Sequence, residues 1–280
     1  MAADRNYLVA GVMGSPVAHS RSPLLHNTWI AEHGLGGAYV LMPVQPENLQ
    51  AALRGLSALG FSGCNLTIPH KVAAMALVDR VDPLAQRIGA INTVVVEADG
   101  SLSGRNTDAP GYLQSLRDAL PQWRADAGPA AVIGAGGASR AIILGLLEEG
   151  APEIRLANRS EDRARTMAQE FGSRVQVVPW NARHACLADC ALLVNTTSQG
   201  MHGQAALDLQ LDALPGSALV SDIVYVPLET PLLQAARRRG HTTVNGLGML
   251  INQARLAFEA WTGILPACTP ALTQKLLATF

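Results

Sequence analysis

Ala130-Ala131-Val132-Ile133-Gly134-Ala135-Gly136-Gly137-Ala138-Ser139-Arg140 is the stretch whose reading decides the fold. Its first four residues form a short apolar run, the mark of a buried parallel strand. The run breaks into glycines and then into 141–147, where Ile142 with Leu146 and Ile143 with Leu147 recur at helical spacing. Strand, glycine turn and helix together are the setting of a dinucleotide site. Gly134 allows the tight turn, and Gly136 lets the backbone approach a pyrophosphate. The helix N-terminus adds unpaired N–H groups and a positive dipole end. Gly134, Ala135, Gly136, Gly137 and Ala138 are therefore the candidate phosphate cradle. Ser139 stands at the third glycine position of the G-x-G-x-x-G/A pattern, so the fit is imperfect. An ordinary strand-to-helix turn is the competing reading.

The surroundings favour a two-domain α/β protein. A chain of 280 residues suggests roughly two domains with a sizeable core each. Apolar residues make up 49 %, and charge is near balance at −1. That composition describes a soluble protein with no basic excess to attract nucleic acid. No apolar run approaches the ~18 residues of a membrane span. Met1-Ala2-Ala3-Asp4-Arg5-Asn6 lacks the apolar core of a signal peptide. Four scattered cysteines, Cys64, Cys186, Cys190 and Cys268, fit a reducing cytoplasm. His184 with Cys186 and Cys190 has no matching second pair of ligands, so no metal site is expected.

Along the chain, 7–13 reads as a strand broken by Gly14-Ser15-Pro16. Ser22-Pro23 looks like an N-cap with proline at the first helical position, and Gly34 closes that helix. Strands follow at 39–42 and 63–68, with a helix over 46–59 between them. Pro69 opens another helix. A hairpin pairs 91–96 with 102–104 around Asp99-Gly100. From Asp108 a helix runs to about 120. Strands at 130–133, 154–157, 175–178, 192–195 and 219–223 then alternate with helical patterns, including 161–171. This is a doubly wound parallel sheet. The last helix expected covers about 247–261, with Leu250, Ala254, Ala257, Phe258 and Trp261 near one stripe.

Two further groups of residues carry chemistry. At the tip of the strand after the glycine helix an NAD site usually presents Asp or Glu to the ribose 2′-hydroxyl. Here the chain reads Ala157-Asn158-Arg159-Ser160-Glu161-Asp162-Arg163. No acid stands at the tip, and Arg159 and Arg163 are suited to a dianionic 2′-phosphate through charge-assisted, forked hydrogen bonds. NADP(H) is the expected cofactor. The alternative is two solvated arginines pairing with Glu161 or Asp162. In the first domain, polar residues gather at element ends: Ser20-Arg21-Ser22, Asn65-Leu66-Thr67-Ile68-Pro69-His70-Lys71, Ile91-Asn92-Thr93 and Asn106-Thr107-Asp108. Strand C-termini are where α/β sheets bind ligands. Ser22 and Asp108 also read as helix caps, and Thr67 and Asn92 as turn formers. Lys71 sits in a first helical turn, where the dipole opposes a cation by a few tenths to about 1 kcal/mol. That setting suits a lysine used in proton transfer, with Asp108 as its carboxylate counterpart; a snorkelling surface lysine is the alternative.

In this order, with Gly-Ala-Gly-Gly-Ala-Ser, Asn-Arg-Ser-x-x-Arg, Asn195-Thr196-Thr197-Ser198-x-Gly200-Met201 and Gly246-x-Gly248-Met249-Leu250-x-x-Gln253, these motifs resemble the shikimate dehydrogenase family along nearly the whole chain. The resemblance implies NADPH-dependent reduction of 3-dehydroshikimate to shikimate in the chorismate and aromatic amino acid pathway. Lys71 and Asp108 match the catalytic pair. Ser20 and Ser22 match carboxylate-binding serines; Thr67, Asn92, Tyr225 and Gln253 match residues that hold the substrate. Gly134 to Ala138, Asn158, Arg159, Ser160, Arg163, Thr196, Ile223, Gly246 and Met249 match the cofactor side. Ser160 replaces a common Thr, and Ser22 fits the shikimate type where quinate-using relatives often carry Thr. The family also implies that the helix with Gln253 folds back onto the first domain. The expectation is then an N-terminal α/β substrate domain, 1–107 plus 241–280, and a Rossmann-type doubly wound NADP-binding domain, 108–240, closing on both ligands. The substrate is a small molecule, with neither nucleic acid nor membrane as partner, and a homodimer is left open. An NAD-using quinate/shikimate dehydrogenase, a non-catalytic nucleotide-binding paralogue and a paralogue for an amino analogue remain alternatives.

Overall fold

The structure is a computed structural model that describes residues 6–280, so the Met1-to-Asn6 stretch weighed above as a possible signal peptide lies, apart from Asn6, outside the described residues. In chain order its elements are β1 (Tyr7–Gly14), α1 (Ser22–Glu32), β2 (Gly36–Pro43), α2 (Leu49–Ala58), β3 (Gly63–Leu66), α3 (His70–Ala73), β4 (Arg80–Val81), α4 (Pro83–Ile88), β5 (Thr93–Val96), β6 (Leu102–Arg105) and α5 (Asp108–Ala119). There follow β7 (Ala130–Ile133), α6 (Gly137–Glu148), β8 (Ile154–Ala157), α7 (Glu161–Phe171), β9 (Val175–Val178), β10 (Leu192–Asn195), β11 (Leu219–Asp222), α8 (Pro231–Arg238), β12 (Thr243–Val244), α9 (Leu247–Thr262) and α10 (Pro270–Leu277). Two compact units emerge, one of residues up to Gly111 with Ile251–Thr279, the other of Tyr112–Leu250 with Phe280. The expected divides stood at 107/108 and 240/241.

The first unit holds a mixed six-stranded sheet in the order β2-β1-β3-β5-β6-β4. β1 runs parallel to β2 and β3, and the expected hairpin appears as the antiparallel pair β5/β6. One face packs Leu49, Leu53 and Leu56 of α2 onto Met13, Cys64, Leu66 and Val94. An aromatic cluster joins α1, β2 and α9: His26 stacks on Tyr39 at 4.1 Å, with Trp29, Phe258 and Trp261 around it. Each polar handle but one is satisfied. Trp29 Nε1 donates to the Ala267 carbonyl at 3.1 Å, Trp261 Nε1 to the Val94 carbonyl at 2.9 Å, and Tyr39 Oη to Asn65 Oδ1 at 2.7 Å. Trp261 thereby fastens the late helix to β5, the fold-back that the resemblance implied.

The second unit holds six parallel strands in the order β12-β11-β10-β7-β8-β9. Strand order reverses between β7 and β10, the switch point where such sheets bind ligands. The inner strands β7, β10 and β11 are buried on both faces: Ala130 and Val132 join one core with Ile142, Leu146, Ala164 and Met167, while Ala131 and Ile133 join the other with Leu193, Val220, Leu232 and Leu233. That double burial is why β7 is an unbroken apolar run rather than an alternating one.

Several sequence expectations need correction. Ser22 is the first residue of α1, Arg21 occupies the cap position, and no side chain caps there. The 46–59 helix opens as a 3-10 turn at Pro46–Asn48. The helix after Pro69 is a single α-turn, His70–Ala73, that continues as a 3-10 turn, Ala74–Ala76. The last helix is α10, beyond the one expected. β4, α4, α8 and β12 were not foreseen: β4 and β12 are two-residue edge strands and α4 spans only six residues, whereas α8 does bury one face through Leu232, Leu233 and Ala236.

His26 is fully buried, and neither ring nitrogen has a hydrogen-bond partner in the structure. Burial alone pushes its pKa down to about 3 from 6.5. Its folded form therefore refuses a proton that the unfolded chain accepts. The stability this group contributes is full above about pH 6.5 and is lost as pH falls toward 3, by roughly 1.4 kcal/mol per unit. His26→Phe should flatten that acid limb in chemical-denaturation curves taken across pH 4–7, leaving neutral stability equal or higher.

Candidate active site

In the first unit the polar residues at strand ends form one continuous network. Lys71 Nζ donates to Asp108 Oδ2 at 2.5 Å, with both side chains largely buried. The other carboxylate oxygen, Oδ1, accepts Asn92 Nδ2 at 2.9 Å. Asn92 Nδ2 also reaches Thr107 Oγ1 at 2.9 Å and Gln253 Oε1 at 3.5 Å. Asn92 Oδ1 in turn accepts the Thr107 amide at 2.8 Å and Thr93 Oγ1 at 3.1 Å, which fixes the orientation of its carboxamide. Behind it, Asn65 Nδ2 donates to Thr93 Oγ1 and to the Asn92 carbonyl, both at 3.1 Å, and Tyr39 holds Asn65.

Asp108 is free for Lys71 because it is not a cap. Asn106 Oδ1 takes the backbone N–H of Asp108 at 2.9 Å and that of Ala109 at 3.4 Å, satisfying the helix start. Asn106, Thr107, Thr93, Asn65 and Tyr39 thus support the pair. The first four stood within the quoted clusters without an assigned part, and Tyr39 was read only as a strand residue. A lone tyrosine in an apolar strand was the available signal.

Other expected residues sit as follows. Ser20 Oγ donates to Ser22 Oγ at 3.1 Å and accepts the Ser22 amide at 3.3 Å at the start of α1. Thr67 follows β3, its amide bonded to the Met13 carbonyl at 3.0 Å. Among the described residues no side-chain hydrogen bond joins Ser20, Ser22 or Thr67 to the Lys71 set. Tyr225 belongs to the second unit and lies edge-on to Phe280, ring centroids 6.3 Å apart.

The second unit builds its own site at the switch point. Gly134 follows β7 at φ +112°, and an added Cβ would lie 2.6 Å from Thr196 Oγ1, which bonds the Ile133 carbonyl at 2.8 Å. Ser139, the misfit at the third glycine position, is buried. Its Oγ accepts the Gly136 amide at 3.0 Å and meets Thr196 Oγ1 at 2.6 Å, so it ties helix to strand, where a glycine would allow only close packing. A Cβ on Gly136 would meet nothing within 4 Å, so the turn offers bare backbone. Asn158 Oδ1 accepts the Ala135 amide at 3.2 Å, and its Nδ2 donates to the Ser160 carbonyl at 2.8 Å. Arg159 and Arg163 are exposed, and neither has an ion-pair partner among the described residues; Glu161 pairs with Arg165 at 3.0 Å instead. Ile223 and Gly246 touch so closely that a Cβ on Gly246 would sit 2.0 Å from the Ile223 carbonyl oxygen. Met249 is packed in the core beneath them. Gly137 and Ala138 form the first turn of α6.

A bare-backbone turn between a parallel strand and a helix, with two unpaired arginines and no acid at the next strand tip, fits a phosphorylated nicotinamide nucleotide. In the same chain stands an amine–carboxylate couple. Together they define an NADP-dependent oxidoreductase. The chain belongs to the shikimate dehydrogenase family. Residues 12–94 match the shikimate dehydrogenase substrate binding domain, 121–203 the shikimate / quinate 5-dehydrogenase family and 246–267 the shikimate 5′-dehydrogenase C-terminal domain. A shikimate dehydrogenase (NADP(+)) of Paramagnetospirillum magneticum is 54 % identical, covering 96 % of this chain and 98 % of the relative. The structure of shikimate 5-dehydrogenase from Thermus thermophilus in complex with NADP(H) and shikimate superposes with a TM-score of 0.85 at 40 % identity, over 97 % of this chain and 99 % of that one. Quinate dehydrogenase from Corynebacterium glutamicum in complex with NAD gives 0.89 at 29 %, over 97 % and 99 %.

No helix among the described residues is long and apolar enough to cross a membrane. Among those residues no group of three His, Cys, Asp or Glu side chains is placed to hold a metal ion. Cys186 Sγ donates to the Arg183 carbonyl, and His184 Nδ1 accepts the Gln210 amide.

Asn92→Leu would strand the Thr107 amide and the Asp108 carboxylate in a buried setting. Its unfolding free energy in urea should fall by about 2–4 kcal/mol. An unchanged midpoint would show that the network adds little.

Proposed function

We propose that this chain catalyses the reversible, NADPH-dependent reduction of 3-dehydroshikimate to shikimate on the route to chorismate and the aromatic amino acids. The observation that carries this reading is the 2.5 Å contact of Lys71 with Asp108 on a strand end crowded with hydroxyl and amide groups. The names of the Paramagnetospirillum relative and of the Thermus complex support it.

When bound, the nicotinamide supplies the hydride. As charge grows on the substrate's C3 oxygen, the Lys71 ammonium donates the proton, and in the oxidation direction its amine takes one back. Asp108 holds Lys71 in place and keeps its charge compensated; Asn92 holds Asp108. Asn92, Thr67 and Gln253 bind the substrate's hydroxyls, and Ser20, Ser22 and Tyr225 its carboxylate. Gly134 to Ala138 cradle the pyrophosphate, Asn158 and Ser160 shape the strand tip, and Arg159 with Arg163 takes the 2′-phosphate. Thr196, Ile223, Gly246 and Met249 complete the cofactor side. In this reading residues 1–107 plus 241–280 form the substrate domain and 108–240 the nucleotide domain. The four cysteines are unpaired, which supports a cytoplasmic setting, and the near-balanced charge of −1 offers no basic excess for nucleic acid. Each copy supplies every residue named, so a homodimer is compatible with the chemistry.

Lys71→Ala should lower kcat by at least about a hundredfold with the cofactor KM within about twofold. A small kcat change with a steep rise in shikimate KM would make Lys71 a binder and Asp108 the acid/base. Arg159→Ala combined with Arg163→Ala should raise the NADP+ KM about tenfold or more while the NAD+ KM stays level, erasing the preference between them. Rates with shikimate and quinate, each against both nucleotides, test the substrate assignment alongside.

A further inference from the structure

A buried carboxylate at the far side of the switch point takes no part in the chemistry above. Asp222, the last residue of β11, has no exposed surface. Its Oδ1 accepts Asn195 Nδ2 and the Val224 amide, both at 3.0 Å, and its Oδ2 accepts Thr230 Oγ1 at 2.7 Å. Each donor belongs to a different segment. Asn195 ends β10, and it organises the loop that follows: its Oδ1 accepts the Thr197 amide at 3.0 Å and Thr197 Oγ1 at 2.8 Å, and its Nδ2 donates to the Gln199 carbonyl at 3.1 Å. Thr196, whose hydroxyl meets Gly134 and Ser139, lies inside that loop. Val224 follows Ile223 and accepts the Gly246 amide on its carbonyl at 3.0 Å. Thr230 caps α8 by accepting the Leu233 amide at 3.3 Å.

We propose that Asp222 is a positioning residue of the nicotinamide-nucleotide site, one buried acceptor that holds the Thr196 loop and the Ile223–Gly246 contact in mutual register. The proposal rests on the NADP reading of those residues. Three donors converge on this carboxylate, and two of them, Asn195 and the Val224 amide, stand one step from residues assigned to the cofactor. Removing it leaves Asn195 and the Val224 amide without their acceptor in a buried setting, so the loops must shift to find others.

Burial pushes the Asp222 pKa up to about 6, against the opposing pull of its three donors. The groups facing it are Asn195 from β10, the Val224 amide, Thr230 before α8 and the buried phenol of Tyr112 on α5, whose ionisation its charge opposes. A proton on Asp222 turns one acceptor into a donor and breaks part of the hub.

The experiment uses the full chain and initial rates of shikimate oxidation. Wild-type turnover with NADP+ comes first, and its absence would count against the functional reading rather than against Asp222. Given turnover, Asp222→Ala should raise the NADP+ KM about tenfold or more, with shikimate KM within about twofold and a folded circular-dichroism spectrum. Asp222→Asn keeps an acceptor oxygen for Asn195 and the Val224 amide but puts a donor in place of Oδ2, as a proton does, so its NADP+ KM should stand between wild type and Asp222→Ala, about threefold above wild type. The wild-type NADP+ KM should climb toward the Asp222→Asn value as pH falls below about 6, and that climb should be absent in Asp222→Asn. Where Asp222→Ala fails to fold, Thr230→Val removes only the Oδ2 donor and should raise the NADP+ KM about threefold. A folded Asp222→Ala with unchanged NADP+ KM, equal rises for both substrates, or a Thr230→Val indistinguishable from wild type would overturn the proposal.

Discussion

The first unit depends on placing a cation and an anion together in a setting largely closed to water. Separately, Lys71 and Asp108 would each carry a desolvation penalty of several kcal/mol; together they offset it only if the remaining lone pairs and protons are also satisfied. The fold meets that condition through amides. Asn106 removes the helix-capping duty from Asp108, and Asn92 covers the second carboxylate oxygen. Asn92 is then held by Thr107 and Thr93, and Thr93 by Asn65. Remove the amides and the ion pair becomes a liability. Three consecutive residues, Asn106-Thr107-Asp108, therefore have separate parts: cap, brace and carboxylate.

The second unit solves a different problem, the exposure of backbone to a ligand. Gly134 gives up a side chain so that Thr196 can approach, Gly136 so that exposed main chain stays bare, and Ser139 recovers order where that sacrifice would loosen the helix start. The serine that departs from the glycine fingerprint is better described as a local cap than as a defect. Its contact with Thr196 carries the order across to β10.

How much of this was legible in the sequence follows from the range of each signal. β7, β8, β9 and β10 were read to the residue; in β7 and β10 double burial writes apolar runs with sharp ends, and in β8 and β9 one polar residue interrupts a short β-branched or apolar set. The glycine turn and the Lys71–Asp108 couple were also readable, the first from its glycines between strand and helix and the second from a lysine just past Pro69 with Asp108 as its carboxylate counterpart. What escaped depends on long-range contact. Ser22 looked like a cap because serine before proline usually is one, yet α1 begins a residue earlier and the Ser22 hydroxyl is engaged by Ser20. The helix that carries Lys71 passes into a 3-10 turn after His70–Ala73, a change that no residue pattern after Pro69 announces. Tyr39, Asn65 and Asp222 carry no local pattern; their parts emerge only when distant strands are laid side by side.

The first unit is sewn from two separated stretches of chain, with Trp261 of α9 donating to the Val94 carbonyl of β5. During synthesis on the ribosome, the sheet made by residues up to Gly111 must wait through about 140 further residues, at a typical 5–20 residues per second, before its late helices arrive. Through that interval the surface destined for Phe258 and Trp261 stays uncovered, and Tyr112–Leu250 is fully synthesised by the time it ends. Nascent-chain order is thus inverted relative to sequence order: the middle matures first, and the beginning is finished last.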